Sequence, residues 1–206
     1  MRITRISFIL LISLITSVSM FAQLPVSLGV KAGVNLSEIQ KVGDDIKVGF
    51  NIGVTAELAL PSSFYLMSGL ELTTKGNKVK DIIAATSPGG VMPVTTATFN
   101  AMYLQLPIHA GYKLDLTPGT KLVFQVGPYL AYGIGGKISY KAKDIKKQDF
   151  FDDDTNRFDF GIGGAVGIEF INKINVSLGA DQGLTKVFKD TKTKNRVAHI
   201  SVGYKF

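Results

Sequence analysis

The sequence predicts an all-β fold: eight antiparallel strands in up-and-down order, closed into a transmembrane β-barrel. Three observations predict it: a period-two alternation of apolar and polar residues, an alternation of short and long connections, and a crowding of glycine onto the polar face. The alternating runs are 26–36, 48–60, 64–74, 102–114, 122–134, 158–170, 174–184 and 198–206, and in each the apolar residues take the even positions. Within them 46 of 51 even positions are apolar, against about a fifth of the odd ones. A period of two puts one set of side chains on each face of a strand.

Taken in order, the first strand sets Val26, Leu28, Val30, Ala32, Val34 and Leu36 against Gly29, Lys31 and Gly33, and the second is apolar at every even position. Pro61-Ser62-Ser63 turns the chain into the third, where Ser68 and Thr74 break the apolar face. The fourth strand returns through Asp115–Thr120, a connection with a Pro-Gly turn signal, to the fifth. There Pro128 removes one ladder donor, so a local bulge is expected. The sixth carries Gly164 on its apolar face and turns through Ile171-Asn172-Lys173 into the seventh, which carries Gln182. The eighth ends in Phe206. The other connections, 37–47, 75–101, 135–157 and 185–197, are long. Short turns at one end and long loops at the other describe a meander closed on itself, with the short turns in the periplasm.

Which face meets lipid follows from size. Fourteen of the 22 glycines lie at odd positions inside the runs, as Gly161, Gly163 and Gly167 do. A water-facing surface would carry long solvated side chains; a polar face of glycine suits the crowded interior of a narrow barrel. Each run is long enough to cross a bilayer at a tilt. On the even face Phe50, Tyr132, Phe158 and Phe160 lie toward the long loops, and Phe64, Tyr112, Phe170, Tyr204 and Phe206 toward the short turns, as two interfacial bands would. A lipocalin-like soluble barrel, with its apolar face inward, is the alternative that these features oppose.

Residues 1–22 differ in kind. Arg2 and Arg5 precede an apolar stretch from Ile6 to Val18, and Ser17-Val18-Ser19 and Met20-Phe21-Ala22 both offer small-residue cleavage signals. This reads as a secretory signal peptide cleaved before Gln23, leaving 23–206 as one barrel domain in the outer membrane. Hydrophobic residues make up 46 % of the chain, and mean hydropathy is +0.23. The formal charge of +7 suits contact with anionic headgroups without naming a partner. With no cysteine, disulfides and thiolate metal sites are excluded.

The odd face gathers Lys31, Glu57, Glu71, Lys113, Asp159, Glu169, Asp181 and Lys205 with His109 and His199. Charges inside so narrow a barrel must pair, which predicts a structural polar network filling the lumen. A proton or ion path is the sharper alternative. Ser201 shares a face with His199, but neighbours two residues apart on a strand lie about 6.6–7 Å apart, too far for a direct hydrogen bond unless the side chains lean. No catalytic residue, cofactor or metal site is therefore expected. The third long connection holds Asp152, Asp153 and Asp154 without the glycine and distal glutamate of a calcium loop. The fourth holds Lys186, Lys189, Lys192, Lys194 and Arg196, which can contact lipopolysaccharide phosphates. Nothing supports nucleic-acid binding.

Three segments carry a resemblance: Gly29-Val30-Lys31-Ala32-Gly33-Val34-Asn35-Leu36-Ser37, Tyr103-Leu104-Gln105-Leu106-Pro107-Ile108 and Gly127-Pro128-Tyr129-Leu130-Ala131-Tyr132. They resemble strands of the Bacteroidetes outer-membrane β-barrel proteins related to PorT, and the likeness extends over about 23–206. The resemblance implies an outer-membrane barrel without a catalytic signature; PorT itself is associated with secretion and gliding machinery. The sequence therefore points to a non-enzymatic barrel with a plugged lumen, acting in envelope integrity or surface recognition through its loops. Its expected partners are outer-membrane lipid, lipopolysaccharide and an unidentified extracellular or periplasmic protein. A small channel or secretion-machinery accessory barrel, and a lipid-modifying enzyme, are the alternatives.

Overall fold

The computed structural model describes residues 25–40, 45–83, 94–140, 148–152, 155–189 and 191–206. Eight long strands form a closed antiparallel ring: β1 (Val26–Ile39), β2 (Lys47–Ala59), β3 (Phe64–Ile83), β4 (Val94–Thr117), β5 (Thr120–Tyr140), β7 (Phe158–Phe170), β8 (Ile174–Gly183) and β9 (Asn195–Lys205). Each pairs with its sequence neighbour, and β1 closes the ring on β9 from Gly29↔Lys205 to Ile39↔Asn195. A two-residue strand, β6 (Gln148–Asp149), lies against β5 outside the ring. Closure leaves the transmembrane wall with no free edge, so its backbone polar groups are met within the sheet.

The alternation in the sequence becomes the inside and outside of this ring. Leu28, Val34, Ile52, Val54, Leu70 and Leu178 are exposed outward, while the odd residues between them are buried or half-buried. Such a continuous exposed apolar surface is what a lipid-facing wall presents. The outer aromatics fall at its two ends, and Phe64 and Tyr112 pack edge to face with centroids 5.1 Å apart. Ser68, a polar residue on this wall, donates its hydroxyl to the Pro107 carbonyl at 2.9 Å.

The short turns depend on left-handed backbone. Gly119 takes φ +83° after Pro118, the pairing that a type II turn requires. Ile171 and Asn172 take φ +48° and +57°, with Lys173 N donating to Phe170 O at 2.9 Å, as in a type I′ turn.

Two expectations change. The second long connection, expected over 75–101, is largely strand: β3 and β4 run on, paired to Ile83↔Val94, and β5 accompanies β4 to Ala97↔Tyr140. The alternation of β3 was hidden because from Thr73 to Asn77 consecutive residues are all buried. The bulge expected at Pro128 is absent. The β4–β5 register is the same on either side of it, from Pro107↔Tyr129 to Ala110↔Val126, and the two intervening pairs are simply missing. The β4–β5 register shifts elsewhere, between Met102 and Tyr103, where β5 gains one residue at Ile134.

Candidate functional site

The lumen is where the structure concentrates chemistry, in three layers along the barrel axis. At the periplasmic end Lys113 pairs with both Glu57 and Glu169, the latter at 3.0 Å, and Lys205 pairs with the same two carboxylates at 3.3 and 2.5 Å. These residues come from four strands, and their charges alternate around a closed ring. The Lys113 ammonium also lies 4.9 Å from the centroid of the Tyr65 ring, whose hydroxyl donates to Phe124 O at 3.2 Å.

The middle layer joins Lys31 to Glu71 at 2.6 Å and Gln105 Nε2 to Asp181 Oδ2 at 3.0 Å. His109 and His199 line the same small cavity as Asp181. Ser201 Oγ sits 3.4 Å from His199 Nδ1 and donates to Asn51 Oδ1 at 3.1 Å. The backbone spacing that separates residues 199 and 201 is bridged by leaning side chains. Ser201 is 1 % exposed, in the middle of the wall rather than at a rim.

In the outer layer Lys75 meets Asp159 at 2.9 Å, and Asp159 also accepts from Tyr129 Oη, Asn195 Nδ2 and Thr185 Oγ1 at 3.3, 3.0 and 2.8 Å. The Lys75 ammonium faces the Tyr129 ring 4.2 Å from its centroid. Above this layer residues 148–152 of the third connection fold into the mouth. Phe150 and Phe151 pack edge to face at 4.9 Å, with Phe99 and Phe188 around them and Ile39, Ala101, Tyr103 and Val187 buried beneath. The segment is fastened by Phe150 N to Gly136 O at 3.1 Å and by Arg157, whose guanidinium donates to Gly133 O at 3.1 Å.

Beyond the mouth Lys186, Lys189 and Lys192 are exposed and Lys194 half-exposed. Arg196 belongs to β9, and its guanidinium pairs with Glu38 at 3.1 Å and donates to Gln182 Oε1 at 3.0 Å, so it is tied to the wall rather than offered by a loop. Burial pushes the nearby Lys47 down to about 8, with the Lys78 charge adding to the effect. Asp153, Asp154 and residues 141–147 lie outside the described residues, as does the leader, 1–22. Among the described residues no group of three His, Cys, Asp or Glu is arranged to hold a metal ion.

Sequence reasoning did not single out Lys75 or the aromatic cap. Lys75 lay one residue beyond the third run, and its parity was the available signal. Phe150 and Phe151 stand in irregular chain, where no periodicity points to them.

Several solved structures are similar to the chain. Ail, the attachment invasion locus protein of Yersinia pestis, solved in complex with the heparin analogue sucrose octasulfate, is 12 % identical, with a TM-score of 0.46 over 89 % of this chain and 100 % of that one. Neisserial surface protein A is 14 % identical, with a TM-score of 0.49 over 87 % and 97 %. A major outer membrane protein from Thermus thermophilus is 13 % identical, with a TM-score of 0.45 over 88 % and 99 %. No curated protein matches the sequence. The model of the outer membrane protein beta-barrel domain matches residues 21–189, most of the chain. The closed eight-stranded ring, its apolar outer wall and this match agree: the chain is an outer-membrane protein and belongs to the outer membrane protein beta-barrel domain family.

Proposed function

We propose that this protein is a non-enzymatic outer-membrane barrel with a plugged lumen, acting in envelope integrity or surface recognition through its extracellular connections. The observation that supports this reading is the filling of the interior: among the described residues, three layers of polar side chains line cavities of about 70 and 10 Å³. Neither admits an acyl chain or a sugar, so the Ser201–His199 contact has no substrate to act on. Recognition then falls to the outer rim, where Lys186, Lys189, Lys192 and Lys194 are the groups offered to anions. Lipopolysaccharide phosphates are the class that we propose for them, bound by charge-assisted hydrogen bonds. Residues 1–22 are proposed as the export leader. The narrower kinship with the PorT-related proteins rests on the three strand segments alone, and a secretion role is not drawn from it.

The test is binding of purified lipopolysaccharide to the refolded barrel, wild type against Lys186→Ala/Lys189→Ala/Lys192→Ala, across a salt series. The proposal expects weaker binding and a shallower salt dependence in the variant. Equal binding by both proteins at every salt concentration would refute it.

A further inference from the structure

From the periplasmic quartet to Asp159 the lumen holds, among the described residues, four lysines (Lys31, Lys75, Lys113 and Lys205) and five carboxylates (Glu57, Glu71, Asp159, Glu169 and Asp181). All four lysines and four of the carboxylates are paired with one another. Asp181 is left over. It is 9 % exposed, and its one hydrogen bond in the lumen comes from the neutral amide of Gln105. A buried carboxylate without a counter-charge costs several kcal/mol, so this layer favours whatever neutralises it.

Two imidazoles face it. His109, from β4, is 6 % exposed and has no hydrogen-bond partner at either ring nitrogen. His199, from β9, has only the long contact to Ser201. Glycines make room for the group. A methyl at Gly163, opposite Asp181 in the β7–β8 ladder, would collide with Asp181 Oδ1 and lie 3.4 Å from His109 Nε2. One at Gly179, opposite His199, would collide with its ring. The remaining charged neighbours are Lys31 from β1 and Glu71 from β3, which are committed to each other. Asn51 from β2 and Gln125 from β5 are neutral.

Access runs one way. The cavity of about 70 Å³ lined by Glu57, Glu169 and Lys205 shares Lys31, Gln125 and Ala165 as walls with the smaller one at Asp181, His109 and His199. The smaller has room for one water. The quartet side chains Glu57, Lys113 and Lys205 retain 12–16 % exposure at the periplasmic mouth. On the outer side Lys75, Tyr103, Tyr129 and Phe150, each 1 % exposed, close the shaft.

We propose that Asp181, His109 and His199 form a binding site for one exchangeable proton, loaded from the periplasm and shut off from the cell exterior. The cluster holds the one unbalanced charge among the described residues between the quartet and Asp159. Acidification of the periplasm places a proton on an imidazole nitrogen, which donates to the Asp181 carboxylate and brings this stretch of the lumen to neutrality. A second proton would add an unbalanced positive charge beside Lys31, so uptake stops at one and belongs to the group as a whole. This proton site is independent of what the loops recognise.

The test is a histidine-ring NMR titration of the full mature barrel in lipid, between pH 8 and 5. The expected result is uptake of one proton shared by the two rings, lost in Asp181→Asn, with the same curve in sodium and potassium buffers. Two independently titrating rings, or an Asp181→Asn curve equal to wild type, would overturn the proposal. So would a curve that moves with the concentration of the alkali cation, which would make a metal cation the ligand. A second measurement needs no variant: in vesicles with one barrel orientation, a pH jump on the periplasmic side should change the ring signals and one on the extracellular side should not. A response to the extracellular jump would equally overturn it.

Discussion

Lys75 and Asp159, 84 residues apart in sequence, meet across the lumen at 2.9 Å with both side chains almost fully buried. Tyr129, Asn195 and Thr185 complete the carboxylate's hydrogen bonds, and the Tyr129 ring covers the ammonium. Breaking a buried pair of this kind by removing one partner strands a charge in a low-dielectric interior, at a cost of about 3–5 kcal/mol. Lys75→Met and Asp159→Asn should each lose about that much in urea unfolding from lipid vesicles. The double variant should lose less than the sum of the two. Additive losses would mean that the pair is not coupled.

The periplasmic turn at Ile171-Asn172 places an exposed β-branched residue in left-handed backbone, at φ +48°. That conformation suits asparagine and glycine and strains isoleucine. Ile171→Asn should therefore stabilise the barrel by about 1 kcal/mol, within the range that such backbone mismatches cost. The same vesicle unfolding assay reads it, and a loss of stability would contradict the turn assignment.

Lys47, above the outer aromatic band, gives a pH dependence with a definite sign. Its folded value of about 8 lies below the ordinary lysine value of 10.5, because burial and Lys78 disfavour the charged form. Below pH 8 both states bind the proton, and folding carries the full penalty of burying the ammonium. Between about pH 8 and 10.5 the unfolded state binds more protons, so stability rises with pH. Lys47→Met should accordingly be more stable than wild type at pH 7, by roughly 2 kcal/mol. The advantage should fade as the pH approaches 10.5. A constant difference across the range would contradict the burial of a charged amine.

Gly133 faces the ring of Phe151, and a methyl there would collide with it. Gly133→Val should expel the ring from the mouth and loosen the third connection. The readout is surface proteolysis of whole cells: faster cleavage within 141–157 is expected, with the barrel core intact. Unchanged protection would mean that the aromatic cap is held elsewhere.

How much of this was legible in the sequence can be traced residue by residue. The alternation assigned Leu28 to lipid and Lys31 to the lumen because a closed wall gives every side chain one of two solvents. It failed above Ile134. There the extra residue at Ile134 reverses the faces of β5, so that the even-numbered Ile138 packs inward against the cap. That the lumen charges pair was expected, but which pairs with which was not legible. Lys113 reaches Glu57 and Glu169 through the stagger of strands around the ring, and no spacing along the chain encodes it. The pairing of Arg196 with Glu38 was missed for the same reason, since their adjacency belongs to the β1–β9 closure.

We propose that the interior of this outer-membrane barrel is filled and that its work lies in the loops. Planar-bilayer recording of the refolded mature chain tests it most directly. A filled lumen predicts bilayer insertion, verified by heat-dependent gel mobility of the same preparation, with no discrete conductance steps at any voltage. Reproducible single-channel steps from the wild-type protein would contradict it.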